Sequence, residues 1–304
     1  MEILATGFNA WNQLVFRASD ENPEEPDDLS SFQRVLTDEL VEIQYISLSC
    51  TVVKTSAGVI HAGYKDAILK LPGLIDKLFS STAAIAGNES IAIYDGDQTI
   101  TQYASTSAFT TSEAQHTFTD LKEIIQLVSY ETGYAALSKD GQVFTWGDER
   151  YASCLGRELS TSPSNYPGVI EDLLDLPSGK ITKIAASRYV LCALTSGNDL
   201  YAWGGHPGRV PILDSLSASP SPVVIEEHDI ADVAVGESHI TALTTTGEVY
   251  VIGSNNNGQL GLPGVDKTTT WTRVPLSLKP GETITGVRAG PRSSFIITSH
   301  DRSI

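Results

Sequence analysis

Hydrophobic and polar positions follow their clearest pattern along residues 230–262, IADVAVGESHITALTTTGEVYVIGSNNNGQLGL. This segment holds an apolar run, a step of small residues, a second apolar run that ends at Leu243, and a β-branched run at 248–252 that leads into a glycine-rich turn. Short runs of this kind, separated by glycine turns, are typical of strands joined by hairpins. The pattern therefore predicts three consecutive β-strands.

The same pattern recurs along the chain. When segments are aligned on Leu243, the best-matched copies place three aliphatic residues at the same position: Leu137, Leu194 and Ile297. Two fainter copies place Val53 and Ile85 there, so six registers can be counted. A period of about fifty residues is typical of repeat architectures. The short spacing of 32 residues between Val53 and Ile85 predicts one stunted repeat, and leaves both six and seven repeats open.

The two ends of the chain complement each other. The last copy stops before its third strand, and residues 7–14 (GFNAWNQL) match residues 253–260 (GSNNNGQL) position for position. An N-terminal strand that completes the last repeat would close the array and remove its exposed sheet edges, whereas an open solenoid needs capping repeats. We predict an all-β, closed β-propeller of six or seven blades, a single domain over residues 1–304.

Little of the chain has helical periodicity, and helices are expected only at 122–128 and 66–79. Trp146 and Trp203 each precede a glycine at the same place in two copies, and this repeated position predicts packing between blades. His239 has no histidine at the equivalent positions of the other copies. We therefore expect it to make a structural hydrogen bond inside one blade rather than to take part in chemistry.

Three segments of the best copy carry a recognisable signature: VAVGESH at 233–239, GEVYVIG at 247–253 and NNNGQLG at 255–261. Together with the Trp-Gly pairs of the other copies, they resemble the regulator of chromosome condensation (RCC1) repeat family. The likeness is strong over 121–304 and 1–14 and weaker over 40–100. It implies a propeller, usually seven-bladed. Within the family the chain is similar to two small single-domain types: the partner of a JmjC-type oxygenase in chromatin, and the fungal alpha-tubulin suppressor type linked to tRNA wobble modification and diphthamide synthesis.

Charge narrows the choice of partner. The chain carries 20 basic and 37 acidic side chains, a net charge of −17. Because nucleic-acid binding depends on Lys and Arg neutralising phosphates, direct contact with nucleic acid is not expected, nor is binding to an anionic membrane surface. A basic protein partner is favoured. We expect an intracellular protein of the nucleus or cytoplasm that is monomeric on its own.

No motif nominates an active site. The sequence lacks the phosphate-binding G-x-x-x-x-G-K-[ST] and G-x-G-x-x-G, and the catalytic G-x-S-x-G and H-E-x-x-H. Three cysteines, Cys50, Cys154 and Cys192, have no metal-type spacing and are expected to be reduced thiols. We therefore predict a protein that is not an enzyme and that needs neither metal nor cofactor.

Residues 20–42 (DENPEEPDDLSSFQRVLTDELVE) are the most distinctive segment outside the repeats. Nine acidic residues stand there against one basic residue, Arg34, together with two prolines. Like charges and prolines favour an extended or disordered loop, so a flexible acidic insertion is expected. Such a loop suits a basic partner such as a histone tail, and it supplies four candidate contacts: Glu24, Glu25, Asp27 and Asp28.

The leading functional hypothesis is a non-catalytic protein–protein interaction scaffold that grips its partner with loops on one rim. The resemblance implies a regulatory subunit or adaptor for a chromatin-associated or a tRNA- or diphthamide-modification partner. The alternative is a guanine-nucleotide exchange factor for a Ran-type small GTPase, as the founding member of the family is. A propeller hydrolase or lyase is the weakest class, because no carboxylate pair or metal cluster stands out. The turns after the Trp-Gly pairs supply five further candidate contacts: Asp148, Glu149, Arg150, His206 and Arg209.

Overall fold

The computed structural model describes residues 1–16, 26–71, 73–121, 123–160 and 162–300, and its main regular structure is antiparallel β-sheet. The strands, in chain order, are β1 (Glu2–Gly7), β2 (Leu29–Thr37), β3 (Val41–Ile46), β4 (Cys50–Thr55), β5 (Gly58–Gly63), β6 (Ala83–Ile85), β7 (Ile91–Tyr94), β8 (Ile100–Tyr103), β9 (Ala114–Phe118), β10 (Ile124–Tyr130), β11 (Gly133–Ser138), β12 (Val143–Gly147), β13 (Gly168–Val169), β14 (Ile181–Ser187), β15 (Val190–Thr195), β16 (Leu200–Gly204), β17 (Ser221–Val223), β18 (Ile230–Val235), β19 (His239–Thr244), β20 (Val249–Ser254), β21 (Lys267–Arg273), β22 (Glu282–Ala289) and β23 (Ser293–His300).

Helical structure is short and lies in the connections. The α-helices are α1 (Leu74–Phe79), α2 (Thr106–Thr110) and α3 (Ala152–Leu155), and the 3₁₀ helices are Ala67–Lys70, Glu149–Tyr151 and Glu171–Leu173. The expected helical segment 66–79 is thus confirmed as a 3₁₀ turn followed by α1. Within the described ranges, no helix has the length and apolar character that crossing a membrane requires.

The strands form six sheets, divided between two compact units. Unit 1, residues 1–67 and 225–304, holds sheet 1 (β3–β5), sheet 5 (β18–β21) and sheet 6 (β22, β23, β1 and β2). Unit 2, residues 68–224, holds sheet 2 (β6–β9), sheet 3 (β10–β13) and sheet 4 (β14–β17). The all-β prediction is confirmed, and the number of sheets in the described residues matches the six-blade alternative. Sheet 1, with three strands, is the short one.

The N-terminal strand completes the last sheet, as predicted. Sheet 6 has the order β2-β1-β23-β22, and β1 runs antiparallel to β23 from the pair Glu2 and Thr298 to the pair Gly7 and Ser293. The resemblance between residues 7–14 and 253–260 extends to hydrogen bonding. Leu14 N donates to Asn9 Oδ1 at 3.0 Å, and in the second turn Leu260 N donates to Asn255 Oδ1 at 2.7 Å.

Three sequence predictions about local structure are wrong. Residues 122–128 were expected to be helical, but β10 occupies 124–130. Ile85 was aligned with the second strand of its repeat, but it ends β6, the first strand of sheet 2, so the spacing of 32 residues joins strands that are not equivalent; the one short repeat that it predicted is nevertheless present as the three-stranded sheet 1. The acidic segment 20–42 was expected to be a flexible loop; residues 20–25 lie outside the described residues, and for its later part the expectation is wrong, because 29–37 form β2, which pairs with β1 along its length.

A recurrent bulge explains the helix-like pattern of β10. The first strand in each of sheets 3, 4, 5 and 6 has a register shift near its start, at Ile124, Ile181, Ile230 and Ile284. A bulge inserts one extra residue, so buried positions that would fall two apart fall three apart. In β10 the buried residues are Ile124, Leu127 and Tyr130, a spacing that imitates one face of a helix.

The residue at this bulge also links neighbouring sheets within each unit. In unit 2, the Gln126 amide donates to Ile184 O at 2.7 Å and accepts from Ile184 N at 2.9 Å. In unit 1, the Asp232 carboxylate accepts from Val287 N at 3.0 Å. These bonds satisfy backbone groups that the bulge and strand ends would otherwise leave unpaired.

The tryptophans of the Trp-Gly pairs pack between sheets, as predicted. Trp146 of sheet 3 is buried against Ile100 and Phe118 of sheet 2, and its Nε1 donates to Gln102 Oε1 at 2.9 Å. Trp203 of sheet 4 is buried in the core cluster that it shares with sheet 3. Large aromatic side chains at such positions contribute much of the apolar area that holds successive sheets together.

His239 has a structural role, but not inside one blade. It is fully buried on β19, and its Nε2 lies 2.8 Å from the Ser294 hydroxyl on β23, so it links sheet 5 to sheet 6. Burial lowers the pKa of His239 to about 4, which keeps the imidazole neutral near pH 7.

A charged cluster on sheet 6 joins side chains from the first 37 residues to side chains from residues 279–282. The Arg34 guanidinium donates to both carboxylate oxygens of Glu282 at 2.7 Å and also contacts Glu2, which Lys279 Nζ reaches at 2.5 Å. The hydrogen bonds from Arg34 lower the pKa of Glu282 to about 2, because they outweigh the opposing effect of burial. Residues from β1, β2, β22 and the preceding loop thus meet in one ion network.

Candidate protein-binding site

The candidate contacts predicted after the Trp-Gly pairs lie on one rim of unit 2, defined here as residues 131–132, 148–151, 188–189 and 205–209. The backbone places these loops side by side. Asp148 N donates to Thr132 O at 3.2 Å and Glu131 N donates to Arg188 O at 2.7 Å. Gly205 N donates to the backbone oxygen of Tyr189 at 2.7 Å. Loops from sheets 3 and 4 are therefore fixed to one another by main-chain hydrogen bonds.

Asp148 and Arg150 form a local pair at the edge of this rim. Asp148 caps the 3₁₀ helix that follows it by accepting from Arg150 N at 2.9 Å, and the Arg150 Nε lies 2.9 Å from Asp148 Oδ2. The hydrogen bond from Arg150 lowers the pKa of Asp148. The Arg150 side chain is 78% exposed, so the pair presents an oriented guanidinium to solvent. Glu149 is also exposed.

An aromatic cluster stands beside this pair. The Tyr151 and Tyr189 ring centroids lie 5.1 Å apart, and the His206 ring lies 4.6 Å from Tyr189 and 5.6 Å from Tyr151. All three rings are half-buried. Burial raises the pKa of Tyr189, and its neighbour Tyr151 adds to the shift, so the phenol is neutral. The cluster presents rigid, mixed apolar and polar surface.

Sequence reasoning identified His206 but missed Tyr151 and Tyr189. Tyr151 directly follows the charged candidates Asp148, Glu149 and Arg150, so an aromatic residue in a candidate binding loop was the available signal for it. Tyr189 lies in the 188–189 loop, where the sequence analysis named no candidate. What the sequence did not reveal is that loops some forty residues apart bring the rings together. Arg209 is exposed at the end of the rim, and its backbone N bonds His206 O at 3.2 Å.

The acidic candidates lie in unit 1 and have a different setting. Asp28 accepts from Asn9 N at 2.9 Å and from Asn257 Nδ2 at 2.8 Å, so it ties together the two matching turns. Asp27 is exposed next to it. Glu24 and Glu25 lie outside the described residues.

A cavity of about 250 Å³ opens next to the rim in unit 2, between sheets 2 and 3. Thr132 and Asp148 belong to both the rim and the cavity wall. The rest of the wall is formed mainly by polar side chains, among them Asn88, Gln102, Gln115, His116 and Asn165. Such a lining is suited to a polar side chain of a partner rather than to an apolar cofactor.

In the described part of the chain, two sets of groups have metal-ligand chemistry, and both are already engaged or protonated: the trio Glu2, Glu282 and His300, and the three cysteines. Glu2, Glu282 and His300 bring ligand atoms within 4.8 Å of one another, but Arg34 and Lys279 already neutralise both carboxylates, so this trio does not fit a metal ion. Burial raises the pKa of each cysteine thiol, to about 11 for Cys50 and about 12 for Cys154 and Cys192. The thiols are therefore poor ligands and poor nucleophiles at neutral pH.

Comparison with known proteins connects this architecture with others. Residues 230–259 and 246–297 match models of the regulator of chromosome condensation (RCC1) repeat. Protein pim1 of Schizosaccharomyces pombe is 32% identical over 200 residues, which cover 60% of this chain and 36% of pim1. Across eight curated relatives, the aligned region spans between 13% and 38% of their length.

Two solved structures share the fold over nearly the whole chain. Human WBSCR16 superposes with a TM-score of 0.70 at 16% identity, with 99% of each chain covered. Prp20p from Saccharomyces cerevisiae gives 0.69 at 14% identity, with 99% of this chain and 92% of Prp20p covered. The six sheets of the described residues match the six-blade arrangement of this β-propeller fold.

Proposed function

We propose that this chain, which is an RCC1-like repeat protein, is a non-catalytic protein-interaction scaffold that binds its partner through the unit 2 rim. The observation that carries the proposal is the cluster of Tyr151, Tyr189 and His206 beside the exposed Arg150. Tyrosine and arginine are enriched at the residues that dominate protein–protein binding energy. Prp20p, which shares this fold, is described by its binding to Gsp1p and histones.

Rigidity supports the same assignment. The hydrogen bond from Glu131 N to Arg188 O ties the two loops together, and the Cys154 Sγ lies 3.7 Å from Tyr189 O beneath them. A preformed surface loses little conformational entropy on binding, so more of its contact energy appears as affinity. The polar cavity beside the rim then accommodates one side chain of the partner.

The resemblance suggests the partner's class. A protein of the chromatin machinery, such as a JmjC-type oxygenase, or one of tRNA or diphthamide modification would each use a small propeller as a regulatory subunit or adaptor. The net charge of −17 favours a partner with a basic surface, because opposite charge speeds association. Identification of the protein captured from cells distinguishes these two classes of partner.

Affinity capture with paired variants tests the proposal. The tagged chain is compared with the double variant Tyr151→Ala/Tyr189→Ala and with Leu174→Ala, which removes an exposed apolar side chain elsewhere in unit 2. We expect the same specific partner with the unchanged chain and with Leu174→Ala. The tyrosine variant should lose that partner while circular dichroism shows that it is still folded, although both rings pack against the core of sheets 3 and 4 and their removal lowers the melting temperature. Undiminished capture by the tyrosine variant would remove the rim from the binding surface.

Nucleotide exchange on a Ran-type GTPase is the second candidate, favoured by the acidic Asp148 and Glu149 on a rim of an RCC1-like propeller. Against it, Asp148 is already paired with Arg150, which leaves its carboxylate less free to disturb a nucleotide-bound magnesium. Release of fluorescent GDP from Ran in the presence of catalytic amounts of the chain separates the two functions. The scaffold proposal predicts no acceleration; acceleration that Asp148→Ala abolishes would establish exchange.

A further inference from the structure

Unit 1 carries an exposed aromatic patch, defined here as Trp11, Leu48 and Tyr64. The exposed fractions are 53%, 39% and 67%, and the two ring centroids lie 6.3 Å apart. The Gln13 side chain joins the two segments, because its Nε2 donates to Phe8 O at 2.7 Å and to Leu48 O at 2.9 Å. Adjacent exposed aromatic residues on a protein surface are typical of interaction sites.

The fold does not need a tryptophan at position 11. In the matching turn of sheet 5, Asn257 takes the equivalent place with the same geometry: Asn257 N donates to Gln259 Oε1 at 2.9 Å, as Trp11 N does to Gln13 Oε1 at 3.0 Å. A polar residue thus serves the same turn. The indole of Trp11 is exposed surface that local structure does not explain.

Two carboxylates flank the patch, and neutral groups hold them. Asp28 accepts a hydrogen bond from Asn9 N in the turn that carries Trp11. Asp66 accepts from Ser49 Oγ at 2.5 Å. The backbone oxygen of Ser49 in turn accepts from Tyr64 N at 2.8 Å. Within the described part of the chain, neither carboxylate takes part in an ion pair with Lys or Arg. The nearest cation in sequence is the exposed Lys65. The patch therefore combines aromatic faces with oriented carboxylates that no ion pair with Lys or Arg neutralises among the described residues.

We propose that the aromatic patch of unit 1 is a second docking site, which takes an arginine-bearing cationic segment of another protein. An arginine guanidinium stacks on the Trp11 ring and bonds carboxylates bidentately, and both partners are present here. A second copy of this chain is a poor occupant, because each copy carries a net charge of −17. The proposal stands apart from the unit 2 rim and does not rest on it.

Fluorescence anisotropy with a labelled (Gly-Arg)₄ peptide tests the site at physiological salt. The decisive variant is Trp11→Asn, which copies the residue of the matching turn and leaves the net charge unchanged. We expect its affinity for the peptide to fall about tenfold, within the range of a partly desolvated cation–π contact. The control Val210→Asn removes an apolar side chain that is 91% exposed in unit 2, and should leave the affinity as it is.

Charge variants sharpen the test. Asp28→Asn and Asp66→Asn should each weaken peptide binding severalfold, and Lys65→Glu should strengthen it, while Tyr151→Ala/Tyr189→Ala on the unit 2 rim should have no effect. Equal affinity of Trp11→Asn and the unchanged chain would show that only overall charge attracts the peptide, and would overturn the proposal. A chain that dimerises in light scattering, and becomes monomeric only in Trp11→Asn, would assign the patch to a second copy instead.

Discussion

In each unit neighbouring sheets pack against each other, but the two units use different side-chain chemistry at the contact. In sheets 3 and 4 of unit 2, the residue before the glycine at the end of the third strand is tryptophan, Trp146 and Trp203. In sheets 1, 5 and 6 of unit 1 the residue before the corresponding glycine is smaller: Ala62, Ile252 and Thr6. The tryptophans fill the space between sheets with apolar surface. Unit 1 fills it partly with hydrogen bonds: the Thr6 hydroxyl lies 2.7 Å from both Leu29 O and Gly258 O.

A buried polar network in unit 1 extends this contrast. Ser294 Oγ lies 2.8 Å from His239 Nε2, 2.7 Å from Gln259 O and 3.3 Å from Thr241 Oγ1. Such networks stabilise only when their members are paired and in the correct protonation state. Unit 2 should therefore be sensitive to side-chain volume, and unit 1 to pH and to the loss of a single strand.

Removal of the N-terminal strand should have the largest effect. Deletion of residues 1–14 takes away Thr6, Glu2 and the central pairing of sheet 6, and exposes the edges of β2 and β23. We expect a loss of about 5 kcal/mol or more in the free energy of unfolding. Thermal melting followed by circular dichroism measures it, and a truncated chain with the full melting temperature would disprove the pairing.

Truncation of a buried tryptophan comes next. Trp203→Ala should lower the free energy of unfolding by about 3–5 kcal/mol, because it leaves a large cavity between sheets 3 and 4. Ile252→Val, at the equivalent position of unit 1, removes one methylene and should cost about 1 kcal/mol. Urea titration measures both. Similar losses for the two variants would mean that this position contributes equally to the free energy of unfolding in each unit.

Breaking the ion network of sheet 6 should have a somewhat smaller effect. Arg34→Met leaves the buried Glu282 without its cation and should lower the free energy of unfolding by about 2–4 kcal/mol at pH 7. The folded pKa of Glu282 is about 2, below its ordinary 4.5, so this contribution is complete above pH 4.5 and is lost as the pH falls towards 2.

Denaturant titrations at pH 7 and pH 3 distinguish the unchanged protein from the Arg34→Met variant. The unchanged protein should lose more stability between these values than Arg34→Met does. A parallel acid dependence of both would show that the network does not control it.

The smallest effect concerns His239. Its folded pKa of about 4 lies below the ordinary 6.5, so the unfolded chain binds the proton more readily, and stability falls as the pH drops below 6.5. We expect a loss of about 2 kcal/mol between pH 7 and pH 5. In His239→Gln this dependence should largely vanish. A slope in the variant equal to that of the unchanged chain would assign the titration to other groups.

Parts of the fold followed from the sequence because their signals are local. The second strands of sheets 3, 4 and 5 are buried, mainly apolar runs, and the third strands are β-branched or aromatic runs that lead into a glycine. Residues 7–14 repeat a complete turn motif, so both these strands and the pairing of the ends could be predicted. The first strands could not: their bulges shift Ile124 and Leu127 into a helical spacing. The alanine-rich β6 likewise resembled a second strand, which displaced Ile85.

The candidate site was only half predictable for a similar reason. Asp148 and Arg150 are neighbours in sequence, so their pairing follows from the turn. The contact of Tyr151 with Tyr189 depends on two loops meeting through backbone bonds, which no local pattern records. The exposed Trp11 could be recognised as a candidate binding residue only by comparison with Asn257. That comparison is valid because the two turns share a hydrogen-bonding pattern, which only the structure shows.

The role of the unit 2 rim is tested most directly by hydrogen–deuterium exchange of the full chain with and without its captured partner. We expect slower exchange on binding at residues 148–151, 188–189 and 205–209, and unchanged exchange in the β-hairpin turn 139–142 of sheet 3. Protection confined to that hairpin, or to unit 1 alone, would contradict it.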